Sequence, residues 1–252
     1  MAIAAASPSQ KAGQYAASAS VALAFPNNVT AGSLLTIAGW TFTGTTNAPP
    51  TVASLTKTAG TATIGPIRME VLNTRDIGPG AAIVHGVQYS AIVLTAGSLT
   101  FTLNGGAAGL SCYIALDEYT GRWDSGRLFA ANGANGNGSA QSSGNASSTG
   151  PALFVGGLLQ INATTGASAA EDGAFTLINE VDSTPTSIGG SAIARIVTGI
   201  TTDSADWTTS AGTDWVATVA VYQERPPAPV LSSPGANDIT DTSVRPKVTI
   251  TY

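Results

Sequence analysis

The sequence predicts an all-β protein built as an antiparallel β-sandwich or barrel. Three observations favour this class. Many short segments are apolar or alternate between apolar and polar side chains, as β-strands do. Turns rich in Gly and Pro separate them, and long stretches with a helical period are missing. The clearest strand lies at residues 112–121, a nearly continuous apolar run that ends in polar side chains, and the other segments can be laid beside it.

The first half of the chain predicts an arm followed by short strands. Residues 1–14 are small and polar without an apolar period, which indicates a flexible or partner-docked N-terminal arm. Apolar side chains then alternate from Tyr15 to Phe25, the period of one half-buried strand. Further strand candidates lie at residues 34–42, 51–57, 66–73, 81–94 and 99–103.

The second half predicts one long loop, more strands and a tail. Residues 131–150 are nearly all Ala, Asn, Gly, Ser and Thr, which is typical of a long loop or mobile flap because such a segment has little to bury. Strand patterns resume at residues 151–162, 175–178, 191–197 and 215–222. We therefore predict a sandwich domain over residues 15–223. A Pro-rich linker and C-terminal strand tail follow at 224–252, which we expect to pair with the body or with a neighbouring subunit.

The composition indicates an uncharged surface. Of 252 residues, 43% are apolar and only 10% are charged, with a formal net charge of −5. Such a surface provides little charge repulsion between copies and is suited to burial in an assembly. The chain has neither a basic stripe for nucleic acid nor an apolar run that would span a membrane. It begins without a secretion signal, so we expect synthesis in the cytoplasm.

Residues that often carry chemistry occur here in isolation. His85 is the only histidine and lies in an alternating run, so we expect a structural role. Cys112 is the only cysteine and lies in an apolar strand, which indicates a small buried side chain. The sequence holds no zinc spacing, phosphate loop or nucleophile-elbow motif. We therefore expect no enzyme activity, no metal and no cofactor.

Acidic residues offer weaker candidates. Asp117 and Glu118 are adjacent, so on a strand they point to opposite faces and do not form a glycosidase pair by themselves; Asp124 could approach one of them across the turn. We expect these carboxylates to cap nearby N–H groups. A second set could offer oxygen ligands to calcium but matches no calcium-loop spacing, so solvated turns are the favoured interpretation. Its members are Glu171, Asp172, Asp203, Asp206 and Asp214.

Aromatic side chains provide one candidate binding site. Sugar rings stack on flat aromatic faces in carbohydrate-binding sandwiches, although an aromatic at a strand position is more often core or interface. Trp123 and Trp207 lie in polar stretches that predict loops, and they are the tentative ligand-binding residues for a glycan.

Several short sequence motifs resemble those of a known family. They are Val-Thr-Ala-Gly-Ser-Leu-Leu at 29–35, Ala-Gly-Ser-Leu-Thr-Phe-Thr-Leu at 96–103, Ala-Leu-Asp-Glu-Tyr-Thr-Gly at 115–121, Gly-Pro-Ala-Leu-Phe-Val-Gly-Gly at 150–157 and Trp-Val-Ala-Thr-Val-Ala-Val-Tyr at 215–222. Their order resembles a β-sandwich module of phage virion structural proteins and bacterial surface proteins. The resemblance implies a jelly-roll-like or Ig-like antiparallel sandwich used for assembly or display. Asp117 interrupts the module's Ala-Leu-Glu-Tyr-Ser-Gly signature, which suggests a bulge or an altered strand end.

These observations favour a non-enzymatic bacteriophage virion protein, a capsid decoration or head-fibre component made in the host cytoplasm. Its expected partners are other copies of itself and other virion proteins, the major capsid or tail proteins, reached through uncharged faces and terminal arms. The alternative is a receptor- or carbohydrate-binding module of a phage tail or bacterial surface that binds a host surface glycan. A glycosidase is the third hypothesis, since it would need Asp117, Glu118 or Asp124 to converge in a cleft.

Overall fold

The structure is a computed structural model that describes residues 2–7, 10–43, 54–76, 83–105, 109–123, 128–161, 170–171, 174–183, 188–225, 230–232 and 249–251. This part of the chain contains strands and no helix, and every strand pair is antiparallel. The predicted all-β sandwich is therefore confirmed. A helix with the length and apolarity to cross a membrane is likewise missing from the described ranges.

In chain order the strands are β1 (Ala4–Ala5), β2 (Ala12–Ala16), β3 (Ser20–Ala24), β4 (Leu34–Thr43), β5 (Ser54–Ala59), β6 (Thr63–Ile64), β7 (Arg68–Asp76), β8 (Ile83–Thr95), β9 (Thr100–Asn104), β10 (Gly109–Thr120), β11 (Leu128–Ser142), β12 (Ala146–Ser148), β13 (Ala152–Ile161), β14 (Ala170–Glu171), β15 (Thr176–Ser183), β16 (Ile188–Val197), β17 (Thr201–Asp203), β18 (Asp206–Gln223), β19 (Val230–Ser232) and β20 (Thr249–Thr251).

Two large sheets come from successive parts of the chain. A seven-stranded sheet has the order β1-β10-β4-β8-β6, with β2 also on β10 and β7 also on β8. A six-stranded sheet has the order β11-β18-β13-β16-β15, with β14 also on β18. A three-stranded sheet, β3-β9-β5, and the pairs β12-β17 and β19-β20 complete the described structure.

Three apolar clusters hold these layers together. The first lies between the two large sheets and contains Trp40, Tyr113 and Val155. The second lies between the seven-stranded sheet and β3-β9-β5 and contains Phe101. The third covers the other face of the six-stranded sheet and contains Trp207. Burial of apolar area at about 25 cal/mol per Å² in these layers is the main source of stability.

Strand β10 is apolar along its length because both of its faces are buried. Cys112 and Ile114 point into the second cluster, while Tyr113 and Ala115 point into the first. The prediction that Cys112 is a buried small side chain is confirmed, since it is 0% exposed. The predicted irregularity at Asp117 is wrong. Pairing with β4 runs without a shift through Asp117↔Thr36, and the only break lies between Gly109 and Ser111.

The prediction of a long loop at residues 131–150 is wrong. Residues 128–142 form β11, which pairs with β18, and residues 146–148 form β12. Several asparagines and glycines of this strand meet specific partners. Asn135 donates to the carbonyl of Thr74 at 3.2 Å, which ties β11 to β7. A Cβ at Gly136 would lie 2.8 Å from the indole of Trp215, so only glycine lets that ring lie against the strand.

The N-terminal third also departs from the prediction. The alternating stretch 15–25 is not one strand; β2 and β3 belong to different sheets, joined through bends at residues 17–19. Within the predicted arm, β1 and the first residues of β2 pair with β10 of the same chain. In the tail, β19 pairs with β20. Contacts of the arm and tail with neighbouring molecules stay predictions.

Candidate functional site

The end of β10 carries the acidic pair singled out in the sequence. Asp117 and Glu118 are 1% and 0% exposed and, as predicted, point to opposite faces of the strand. An Asp117 oxygen accepts a hydrogen bond from the Glu118 N–H at 2.8 Å, and the other accepts from the Tyr119 hydroxyl at 2.7 Å. Glu118 accepts from the Thr30 N–H at 2.6 Å. The predicted capping of nearby N–H groups is therefore confirmed.

The electrostatics of this pair also fit a structural role. Burial raises the pKa of Asp117, and the hydrogen bond from Tyr119 offsets part of that rise. Burial and the neighbouring Asp117 carboxylate raise the pKa of Tyr119 far above its ordinary value. Asp124 lies outside the described residues, so the third member of the glycosidase hypothesis has no described position.

His85 lies far from these carboxylates. It stands opposite Thr41 on β4, whereas Asp117 stands opposite Thr36, roughly 16 Å away along the strand. Its Nδ1 is 2.8 Å from the Thr74 hydroxyl, and its Nε2 has no hydrogen-bond partner among the described residues. The side chain is 4% exposed, and burial lowers its pKa. The expected structural role fits this setting, and no triad forms around it in the described structure.

The lowered pKa of His85 predicts acid sensitivity. The imidazole binds its proton less readily in the folded chain than in the unfolded chain, where its pKa is near 6.5. Stability should therefore be complete above that value and should fall as the pH drops through it toward the folded pKa. We expect the urea midpoint to decrease between about pH 7.5 and about pH 5.5, and to decrease less in His85→Gln. If the urea midpoint falls equally with pH in the natural protein and in His85→Gln, His85 is not the cause of the acid sensitivity.

The acidic residues proposed for calcium have structural partners. Asp214 forms an ion pair with Arg75, and Asp203 forms one with Arg195. Asp206 accepts a hydrogen bond from the Ser204 hydroxyl at 2.7 Å. Glu171 lies in β14, and Asp172 is outside the described residues. Where side chains are described, no three acidic, histidine or cysteine residues cluster as metal ligands would.

The two tryptophans proposed for glycan contact differ. The prediction that Trp207 lies in a loop is wrong, because it is the second residue of β18. Its side chain is 2% exposed and donates to the Ser191 hydroxyl at 3.2 Å. Its ring is therefore enclosed and presents no face for stacking. Trp123 is half-buried and follows the end of β10, and its indole N–H donates to the carbonyl of Tyr119 at 3.0 Å. Only Trp123 offers part of its ring to solvent.

A cavity that sequence analysis did not predict lies where the two large sheets part. Its volume is about 330 Å³, and we call it the end cavity. It is bounded by Lys11, which precedes β2, by the end of β10 and by residues of β15 and β16. The residues that line it include Lys11, Tyr119, Thr176, Ala194, Arg195 and Ile196. Two of these are cations in a chain with only ten Lys and Arg residues.

Comparisons with protein-family models, with curated proteins and with solved structures found no match to this chain. The likeness to phage virion and bacterial surface modules therefore remains a resemblance that rests on the short sequence motifs alone.

Proposed function

We propose that this chain is a non-enzymatic structural protein of a bacteriophage virion, a capsid decoration or head-fibre component. It is made in the host cytoplasm and assembles with copies of itself and with the major capsid or tail proteins. Support comes from the low charge, from the structural partners of the acidic candidates, and from a broad uncharged sheet face that nothing in the described chain covers.

That face is the outer side of the sheet β3-β9-β5, and we call it the hydroxyl face. In the register of the sheet, Ala22 stands beside Thr102, which stands beside Thr56. The cross-strand rows on either side of this one also consist of small, uncharged side chains. The members of the face are Ser20, Ala22, Ala24, Ser54, Thr56, Thr58, Ala59, Thr100, Thr102 and Asn104.

The chemistry of the hydroxyl face favours contact with a second copy. The largest apolar group on it is a methyl, so two such sheets can approach closely, and no ionised group must be dehydrated. Hydroxyl groups both donate and accept, which lets identical faces satisfy each other. Thr58 and Thr102 already do so within one chain, with 3.0 Å between their oxygens.

Two variants test this assembly face. Ala22→Arg places a charge in the middle of the hydroxyl face, and Ala131→Arg places the same charge on an exposed site of β11. Sedimentation velocity over rising concentration should show self-association of the natural protein and of Ala131→Arg, and its loss in Ala22→Arg. A natural protein that stays monomeric at every concentration, with no affinity for other virion proteins, would count against the proposal.

The place in the virion has its own measurement. Quantitative mass spectrometry of purified particles from the source would give the number of copies relative to the major coat protein. We expect the chain in every particle; hundreds of copies fit a capsid-covering component, and a few dozen fit a vertex or tail. Particles without the chain would overturn the virion assignment.

The partial exposure of Trp123 supports a second candidate, a receptor- or carbohydrate-binding module of a phage tail or bacterial surface. An exposed indole face beside polar groups suits a sugar ring. Binding on a glycan array that disappears in Trp123→Ala but persists in Trp207→Phe, which keeps a large ring in the core, would favour this candidate. A blank array with the natural protein would eliminate it.

A further inference from the structure

We propose that the buried carboxylate of Glu118 binds a compact monovalent cation, sodium, beneath the turn at residues 30–33 that leads into β4. The site is separate from the end cavity and does not depend on the virion assignment. Glu118 lies near the end of β10 and is 0% exposed. A charge withdrawn from water costs free energy unless a counter-charge or a ligand compensates it. The surroundings of this carboxylate therefore decide what it binds.

The two carboxylate oxygens of Glu118 have different surroundings. Oε1 accepts a hydrogen bond from the Thr30 N–H at 2.6 Å. Oε2 is buried and has no hydrogen-bond partner in the described part of the chain. A carboxylate has lone pairs for about four hydrogen bonds, so a single donor leaves most of this capacity unused. Oε2 is therefore the atom at which a ligand would compensate the charge.

No basic side chain of the described ranges forms an ion pair with Glu118. The ion pairs found there join arginines to Asp203, Asp214 and Glu224. Lys11 donates to the carbonyl of Leu177, in the six-stranded sheet that covers the opposite face of β10. The other lysine of these ranges, Lys57, donates to the carbonyl of Ala62. The second apolar cluster, on the Glu118 side of β10, brings no charge of its own.

A second oxygen without a partner borders the same turn. The Ser33 N–H donates to the Thr30 carbonyl at 3.2 Å, which closes the turn whose first residue binds Glu118. Ser33 also lies two residues before Leu35, which stands opposite Glu118, so strand alternation places its side chain on the same side of the sheet. Ser33 is 2% exposed, and its hydroxyl oxygen has no partner among the described residues.

The chemistry of these two oxygens suits a hard monovalent cation. Carboxylate and hydroxyl oxygens are ligands that hard cations take. One carboxylate carries one negative charge, so a monovalent ion balances it, whereas a divalent ion leaves an excess positive charge beside an apolar cluster. Of the common monovalent metal ions, sodium is smaller than potassium and fits a closed space better. Residues 30–32 are exposed, so one layer of chain separates the site from solvent.

Urea unfolding in sodium chloride and in choline chloride at equal ionic strength tests the site. Choline is too bulky to replace a bare metal ion, so the urea midpoint of the natural protein should rise in a saturable way as sodium replaces choline. The amide NMR signal of Thr30, whose N–H binds the carboxylate, should shift over the same range of sodium concentration. Potassium should have a smaller effect at the same concentration.

Matched variants separate the charge from the shape of the site. Glu118→Gln keeps an acceptor for the Thr30 N–H but removes the buried charge, so in choline its urea midpoint should equal or exceed that of the natural protein, and sodium should not raise it. Ser33→Ala should need about fivefold more sodium for half of the effect, and it serves if Glu118→Gln does not fold. Asp76→Asn removes the same charge from an exposed site of β7 and should keep the full sodium response.

Three results would overturn the proposal. One is a urea midpoint of the natural protein that is the same in sodium and in choline, as expected if a proton or a water molecule compensates the carboxyl group. The second is an equal sodium response in Glu118→Gln and in the natural protein, since that would assign the effect to another part of the chain. The third is stabilisation by calcium and not by sodium, which would assign a divalent ion.

Discussion

Replacing Trp40 by alanine is expected to lower the free energy of unfolding by about 4 kcal/mol. Trp40 is 2% exposed at the centre of the core between the two large sheets. Its ring stacks on Tyr113, with centroids 5.7 Å apart, and meets the ring of Tyr15 at 5.8 Å. Truncation removes these contacts and leaves a cavity between rigid sheets, which cannot collapse to fill it. Urea unfolding at neutral pH measures the change.

Two other variants serve as controls for Trp40→Ala. Trp40→Phe should cost much less, because it keeps an aromatic ring and the indole N–H of Trp40 has no hydrogen-bond partner among the described residues. Trp123→Ala should also cost less, since that ring is only half-buried. A loss below about 1 kcal/mol for Trp40→Ala would contradict the described packing of the two sheets.

Replacing Gly60 by alanine is expected to destabilise the protein by about 3 kcal/mol or more. Gly60 follows β5 and has a φ of 102°, a conformation that residues with a Cβ rarely adopt. A Cβ at this position would lie 2.1 Å from the carbonyl oxygen of Ser98. That oxygen is backbone and accepts a hydrogen bond from the Ala62 N–H at 3.0 Å, so it cannot move aside without breaking the turn.

Gly32 provides the matched control. It also has a positive φ, 86°, but a Cβ there meets no atom within 4 Å. Gly32→Ala should therefore cost only the conformational term, about 1–2 kcal/mol. The difference between the two variants, measured by denaturant unfolding, isolates the contact with Ser98. Equal losses would mean that the chain around Gly60 relaxes freely and that the described turn is not rigid.

The strands that the sequence predicts most clearly are those buried on both faces. In β10 and β13 nearly every side chain is apolar because a core lies on each side, so the pattern is visible without knowing the partner strand. Strand β11 gave no such signal. It is held by backbone pairing with β18 and by contacts such as Asn135 to Thr74, and the sequence does not say which distant residue an Asn or Gly will meet.

The candidate sites were harder to predict for the same reason. Trp207 is flanked by Asp206 and Thr208, which indicates a loop, yet its ring closes over Gly156, where a Cβ would stand 3.1 Å away. Nothing in the sequence links those two positions. The end cavity likewise draws Lys11, Tyr119 and Arg195 from distant parts of the chain. A site of that kind exists only after the two sheets meet, whereas the local roles of Asp117 and Glu118 could be predicted from alternation along one strand.

The division of the sheets along the chain fixes an order of events during synthesis. Every strand of the seven-stranded sheet lies within residues 4–120, and every strand of the six-stranded sheet lies within residues 128–223. The second apolar cluster uses only residues of the first part, so that part encloses a core before the rest leaves the ribosome. Strands β1 and β2 must nevertheless wait for β10, made about a hundred residues later. Until then β1 and β2 have no partner strand, and a nascent chain with so little charge is most exposed to aggregation at that stage.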